Sequence, residues 1–200
     1  MGLFDRIFGR KIESDENKSA PKESESESLP LDELFLKEFT SSGGKFLYCE
    51  NQEEVDQYFD NIIEENGWQE KDMLCLDSEL IDRYASIANF TESYSKPTIF
   101  TTKCEHLIAN QGSVLVCSKQ LKGIKSEELP ENLIVFARTS QMVVSISEAL
   151  RAIKQRHLGG PLPTKITSFK NNEVNQENKD DFMHYGTKTK NLYLLLLEDF

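Results

Sequence analysis

Histidine and cysteine are the side chains that do chemistry most readily near neutral pH. This sequence holds three of the first and four of the second. His184 stands in a polar stretch just ahead of the last apolar run, followed by Tyr185 and Gly186. An imidazole in such a loop can hold a ligand or pass a proton, so His184 is the candidate catalytic residue; an ordinary loop histidine is the alternative. His157 ends a helical pattern, where the helix dipole favours an imidazolium, and capping accounts for it. Cys104 and His106 could give a metal two ligands, but no second pair completes a site. The cysteines Cys49, Cys75, Cys104 and Cys117 are separated by 26, 29 and 13 residues. Zinc ribbons and iron–sulfur runs place paired thiolates two residues apart, so this spacing matches neither. Three of the four lie in apolar runs, where cysteine behaves as a small hydrophobe. No metal and no cofactor is expected, and the thiols are expected buried and reduced.

The carboxylates have a simpler reading. Residues 50–70 carry eight of them and no Lys or Arg. The apolar positions of that helix form their own stripe, so the charges are a solvated face, with a basic partner as the alternative. Glu65-Asn66-Gly67 is similar to the stretch bearing the nucleophilic glutamate of some coenzyme A transferases. Here it closes a helix with glycine, and a cap explains it. No glycine-rich phosphate loop of the G-x-G-x-x-G or G-x-x-x-x-G-K-S/T kind is present.

These side chains must be positioned by an alternation of helices and strands. Leu31, Leu34, Phe35 and Phe39 mark a first helix after Pro30, and Gly43-Gly44 breaks it. Strands are expected at residues 45–49, 73–76, 98–101, 113–117, 133–137, 165–169 and 191–197. A helix capped by Asn51 carries Val55, Tyr58, Phe59, Ile62 and Ile63 on one face, and Leu80, Ile81, Tyr84 and Ile87 mark another. Residues 104–109 read as a short helical turn. Ser145 and Glu148 form a capping box for a helix with Ile146, Ala149, Leu150 and Ile153. The closing run is apolar throughout, as an interior strand of a parallel sheet would be. The expected fold class is therefore α/β, a mostly parallel sheet sandwiched by helices.

Ligands of such sheets gather at the carboxyl ends of the strands. That rule points to the turn before Ser113, to Arg138-Thr139-Ser140-Gln141, and to residues 182–190. Gly112, Ser113, Ser140 and Gly186 are the candidate ligand-binding residues, with backbone amides at the Gly112 turn for an anionic group and His184 as proton donor.

Composition bounds the rest. The 200 residues carry 23 basic and 34 acidic side chains, a net charge of −11, and only 38% are hydrophobic. Nucleic acid is not expected as a partner, because neutralising phosphates takes a basic face. No apolar run is long enough to span a membrane, no signal core is present, and a cytoplasmic location is expected. Residues 1–11 form a short amphipathic segment with Leu3, Phe4, Ile7 and Phe8 at helical spacing. Residues 12–29 form a Ser- and Glu-rich linker too polar to order itself, and residues 30–200 form the α/β domain. The first segment either frays and packs on its own domain, or docks on a membrane surface or partner.

Residues 104–141 and the closing run also carry a family pattern. Glu105-His106-Leu107-Ile108-Ala109-Asn110-Gln111-Gly112-Ser113 leads into a strand, Leu129-Pro130 precedes the next, Glu148-Ala149-Leu150 sits in the following helix, and Leu192 to Asp199 closes the chain. Together they resemble the LUD domain, the family of lactate utilization protein C. The resemblance implies a fold like the NagB, ribose-5-phosphate isomerase and coenzyme A transferase group. It also implies a cluster-free accessory subunit of a cytosolic lactate-oxidising system, with iron–sulfur subunits as partners. Two family motifs depart: Ile166 to Asn172 replaces a Gly-Pro-Ser-x-Thr-Ala-Asp-Ile-Glu run, and Met183-His184-Tyr185-Gly186-Thr187 replaces Gly-x-His-Gly-Pro. Three functions follow as expectations: the lactate-system subunit without catalysis of its own, an adaptor tethered through Phe4 and Phe8, or an isomerase or acyl-transfer enzyme on the same fold.

Overall fold

The computed structural model describes residues 29–93, 97–171, 187–189 and 191–199. Leu3, Phe4, Ile7 and Phe8, with the linker up to residue 28, lie outside the described residues, as do His184 and Gly186. Helix α1, Leu31–Ser41, follows Pro30, carries Asp32 and Glu33 in its first turn, and buries Phe35 and Phe39. Strand β1 is Lys45–Cys49. Helix α2, Gln52–Glu65, starts at Asn51, whose side chain accepts from the Glu54 N–H, while the Glu54 carboxylate accepts from the Glu50 N–H at 2.8 Å. Its buried stripe is Val55, Phe59, Ile62 and Ile63, the spacing of one helical face. Strand β2, Asp72–Cys75, leads to helix α3, Ser78–Tyr84, capped by Asp77.

Two short strands follow, β3 at Asn89–Thr91 and β4 at Ile99–Lys103. Strands β5, His106–Ile108, and β6, Ser113–Val116, are joined by a 3-10 turn over Ala109–Gln111. Helix α4, Ser118–Leu121, precedes β7, Asn132–Arg138, and β8, Met142–Val143. Helix α5, Ile146–Arg156, is capped by Ser145 and closed by His157, whose Nδ1 meets the Ile153 carbonyl at 2.8 Å. Strands β9, Thr167–Asn171, β10, Thr187–Thr189, and β11, Asn191–Leu197, complete the chain.

Six strands pair in the order β1-β11-β7-β4-β2-β3, every neighbour parallel. The last strand of the chain is thus inserted between the first and the seventh. Its unbroken apolar run is explained by burial on both faces. Tyr193 and Leu195 join the cluster under α2 and α3, and Leu192, Leu194 and Leu196 join the opposite one.

That opposite face departs from the sequence-based expectation. There α1, with Leu121 of α4, shares the cover with a second, mixed sheet of order β10-β9-β6-β5-β8. Residues expected as a helical turn form β5, which pairs antiparallel with β6, His106 opposite Leu115 and Ile108 opposite Ser113. A run as short as His106-Leu107-Ile108 has no period of its own, so its partner strand decides its state. Helix α5 packs on the outer face of this second sheet through Ala149 and Ile153.

Gly112 ends the 3-10 turn at φ +56°, and a Cβ there would overlap the backbone of Glu38 and Phe39. The close approach that glycine permits at this position is made by α1 itself.

Candidate functional site

Parallel strands end on one edge of the central sheet, and register decides which side chains meet there. Leu197 stands opposite Arg138, Leu195 opposite Phe136, and Phe136 opposite Lys103. The two-residue period of a strand puts all five on the same face, the one that α2 and α3 cover. A cavity of about 560 Å³ opens between that face and the helices, with Val55 and Leu80 above and Phe136, Leu195 and Leu197 below. Its charged walls are Asp77, Glu79, Arg83, Lys103 and Arg138, and Gln52, Gln120 and Gln141 add amides.

Most of this polar wall is internally satisfied. Lys103 Nζ meets Glu79 at 2.5 Å and Asp77 at 3.2 Å. Burial pulls the Lys103 ammonium down, but the two carboxylates outweigh it and hold it above its ordinary value. Arg83 forks onto Asp56 through Nε and Nη2 at 2.8 and 2.5 Å, and the Tyr84 hydroxyl donates to the same carboxylate at 2.7 Å. The Arg83 donors hold the Asp56 carboxyl below its usual range. This fork joins α2 to α3, the two helices that roof the cavity.

Arg138 differs. Its Nη1 is 4.0 Å from Asp199, and that carboxylate already accepts from the Thr139 hydroxyl, the Ser140 N–H and the Ser140 hydroxyl at 2.8, 2.9 and 2.7 Å. Burial would raise the Asp199 carboxyl, but the Ser140 donors prevail and keep it low.

Behind the cavity wall lies a buried polar cluster. Gln141 accepts from the Arg138 N–H at 2.7 Å and donates to the Cys104 carbonyl at 2.7 Å. Its own carbonyl meets His106 Nδ1 at 3.0 Å, while Arg156 Nη2 meets His106 Nε2 at 2.8 Å. A guanidinium only donates, so these partners assign the proton to Nδ1 and leave Nε2 as acceptor. The imidazole is neutral, and burial, reinforced by Arg156, lowers its pKa. Both ring nitrogens are committed, which accounts for His106 without a metal. Among the described residues no three His, Cys, Asp or Glu side chains are placed to hold a metal ion.

The family model of the LUD domain matches residues 33–197. The chain belongs to the LUD-domain family. A solved structure of a DUF162 family protein from Deinococcus radiodurans is similar to this LUD domain, with a TM-score of 0.56 and 13% identity. The likeness covers 85% of this chain and 99% of that one, and it shows the fold. No match was found among the curated proteins.

Of this LUD domain's candidate residues, Gly112, Ser113 and Ser140 lie among the described ones, and these three do not share one place. Ser140, two residues past the cavity-lining Arg138, donates to Asp199 through its N–H and hydroxyl. Gly112 stands against α1, on the other face of the central sheet from the cavity, and Ser113 is buried with its hydroxyl 3.5 Å from Gln111. The segment 138–141 was legible as a strand end; Asp77, Arg83 and Lys103 were not singled out. A strand followed at once by a capped helix, Cys75 to Asp77, is the signal that locates Asp77 and Arg83, and the end of β4 is the one for Lys103. Cys104 also lines the cavity, and burial, then the Glu105 charge, pushes its thiol well above the ordinary value. Among the described lining residues there is therefore neither a histidine nor an ionisable thiol to act as base or nucleophile.

Proposed function

We propose that this LUD-domain chain is the ligand-binding, cluster-free subunit of a lactate-oxidising system, with iron–sulfur subunits as its partners. Family membership supports the system. The observation that carries the binding role is the cavity at the carboxyl edge, where helix N-termini and strand ends converge as ligand sites of open α/β sheets do. Its walls offer charged and amide groups for orientation. The chain therefore senses or holds a molecule that other subunits transform.

Lactate-dependent dye reduction, in extracts of a lactate-oxidising host lacking this gene, tests the reading. Loss of activity, restored by the wild-type chain but not by Leu197→Trp, which fills the cavity from the strand end, is the expected result. Unchanged activity in the deletion strain overturns the lactate assignment. Turnover by the isolated chain would instead place it among isomerases or acyl-transfer enzymes.

A further inference from the structure

Resting on the binding role just proposed, we infer that the cavity takes a monocarboxylate with an extended apolar body, its acid group on Arg138, and not lactate itself. Size comes first. A volume of about 560 Å³ would hold on the order of eighteen waters at roughly 30 Å³ each. A three-carbon hydroxy acid displaces about four of them, so it would leave the cavity mostly wet. Cavities of this size generally bury ligands of ten or more heavy atoms against apolar walls.

Charge selects the headgroup. Of the three cations that line the cavity, Lys103 is held by Asp77 and Glu79, and Arg83 by Asp56. Among the described residues Arg138 has only the 4.0 Å approach of Asp199, a carboxylate already engaged by Thr139 and Ser140. Its planar fork is thus the donor left for a carboxylate. Asp77 and Glu79 in the wall, with Asp199 beside Arg138, leave little net positive charge there, which weighs against a dianion.

Register places the body. Leu197 faces Arg138 directly across the β11–β7 pair, and opposite side chains of neighbouring strands stand about 5 Å apart. Leu195 and Phe136 continue the floor one pleat further in, beneath Val55 and Leu80. A ligand with its carboxylate at Arg138 therefore meets the half-buried Leu197 side chain first, with the buried Leu195 and Phe136 closing the floor behind it.

Calorimetric titration of the full-length protein with sodium octanoate, 3-phenylpropanoate, lactate, octanamide and inorganic phosphate tests this. Octanoate or 3-phenylpropanoate should bind at least tenfold more tightly than lactate. Octanamide and inorganic phosphate should bind weakly or not at all. Arg138→Gln should weaken carboxylate binding by about tenfold to a hundredfold, the range for a charge-assisted hydrogen bond. Lys154→Gln, exposed on α5, should leave it unchanged. Lactate binding as tightly as octanoate, no binding of either longer acid, or octanoate binding indifferent to Arg138→Gln overturns the inference. Dye reduction that still depends on the chain, without binding of the longer acids, would sink this inference alone. Octanoate binding through Arg138, with dye reduction independent of the chain, would sink only the lactate assignment.

Discussion

Glu105 and Arg156 meet at 3.1 Å, the carboxylate 7% exposed and the guanidinium 51% exposed. The pair ties the β4–β5 turn to the last turn of α5. Gln120 Nε2 donates to the same carboxylate at 3.0 Å and the Cys117 thiol at 3.5 Å. Breaking a wholly buried ion pair by removing one partner costs about 3–5 kcal/mol. Here the half-exposed Arg156 can return to water, so Glu105→Ala should destabilise the domain by about 2 kcal/mol. A urea unfolding midpoint within error of wild type would mean that the cluster holds nothing together.

Acid should weaken the domain in two stages. His106 is neutral in the fold and its pKa is lowered from 6.5, first by burial. The unfolded chain therefore binds a proton that the folded one refuses, and stability falls as pH drops below about 6.5. Burial would raise Glu105 and Asp199, but the Gln120 and Ser140 donors hold both carboxyls low, and the Arg83 fork does the same for Asp56. Their contribution is present above the unfolded values of 4.5 and 3.8 and is lost as pH falls through the lower folded ones. His106→Gln, which keeps a donor and an acceptor, should remove the first stage of a melting-temperature profile and spare the second. A profile still declining from pH 6.5 in that variant would assign the titration elsewhere.

Two left-handed glycines should respond unequally to alanine. Gly67, at φ +64°, has open space around its missing Cβ, and Gly67→Ala should cost about 1 kcal/mol of backbone strain. Gly112→Ala adds a collision with the backbone of Glu38 and Phe39, and displacing α1 should bring the cost above ~3 kcal/mol. Equal losses in denaturant unfolding would show that α1 yields freely.

The thiols should be inert in the native protein. Burial pushes Cys49 up to about 12 and Cys75 up to about 11, and raises Cys104 and Cys117 as well. All four are buried and free. A chromogenic disulfide reagent at pH 8 should react at the pace of unfolding, and four thiols should appear at once in guanidinium chloride. A fast native equivalent would reveal an accessible thiolate.

Much of the fold could be read residue by residue. Val55, Phe59, Ile62 and Ile63 announced a helix face, Asn51 and Ser145 announced helix starts, and the apolar run ending at Leu197 announced an interior strand, because each signal is local. The end of β7 was likewise legible as a strand end, a position that topology favours for ligands, and a cavity opens there.

What tertiary structure alone decided is which strands are neighbours. Local periodicity cannot tell that β11 slides between β1 and β7, and that insertion is what sets Leu197 beside Arg138 and makes the cavity floor. Nor can it tell that His106-Leu107-Ile108 pairs with β6, or that α1 fills the space at Gly112 where a ligand turn was expected. Burial pattern is written in the sequence because water is the same everywhere along it. Pairing is not, because the partner of each strand lies tens of residues away and is chosen by the packing of the whole.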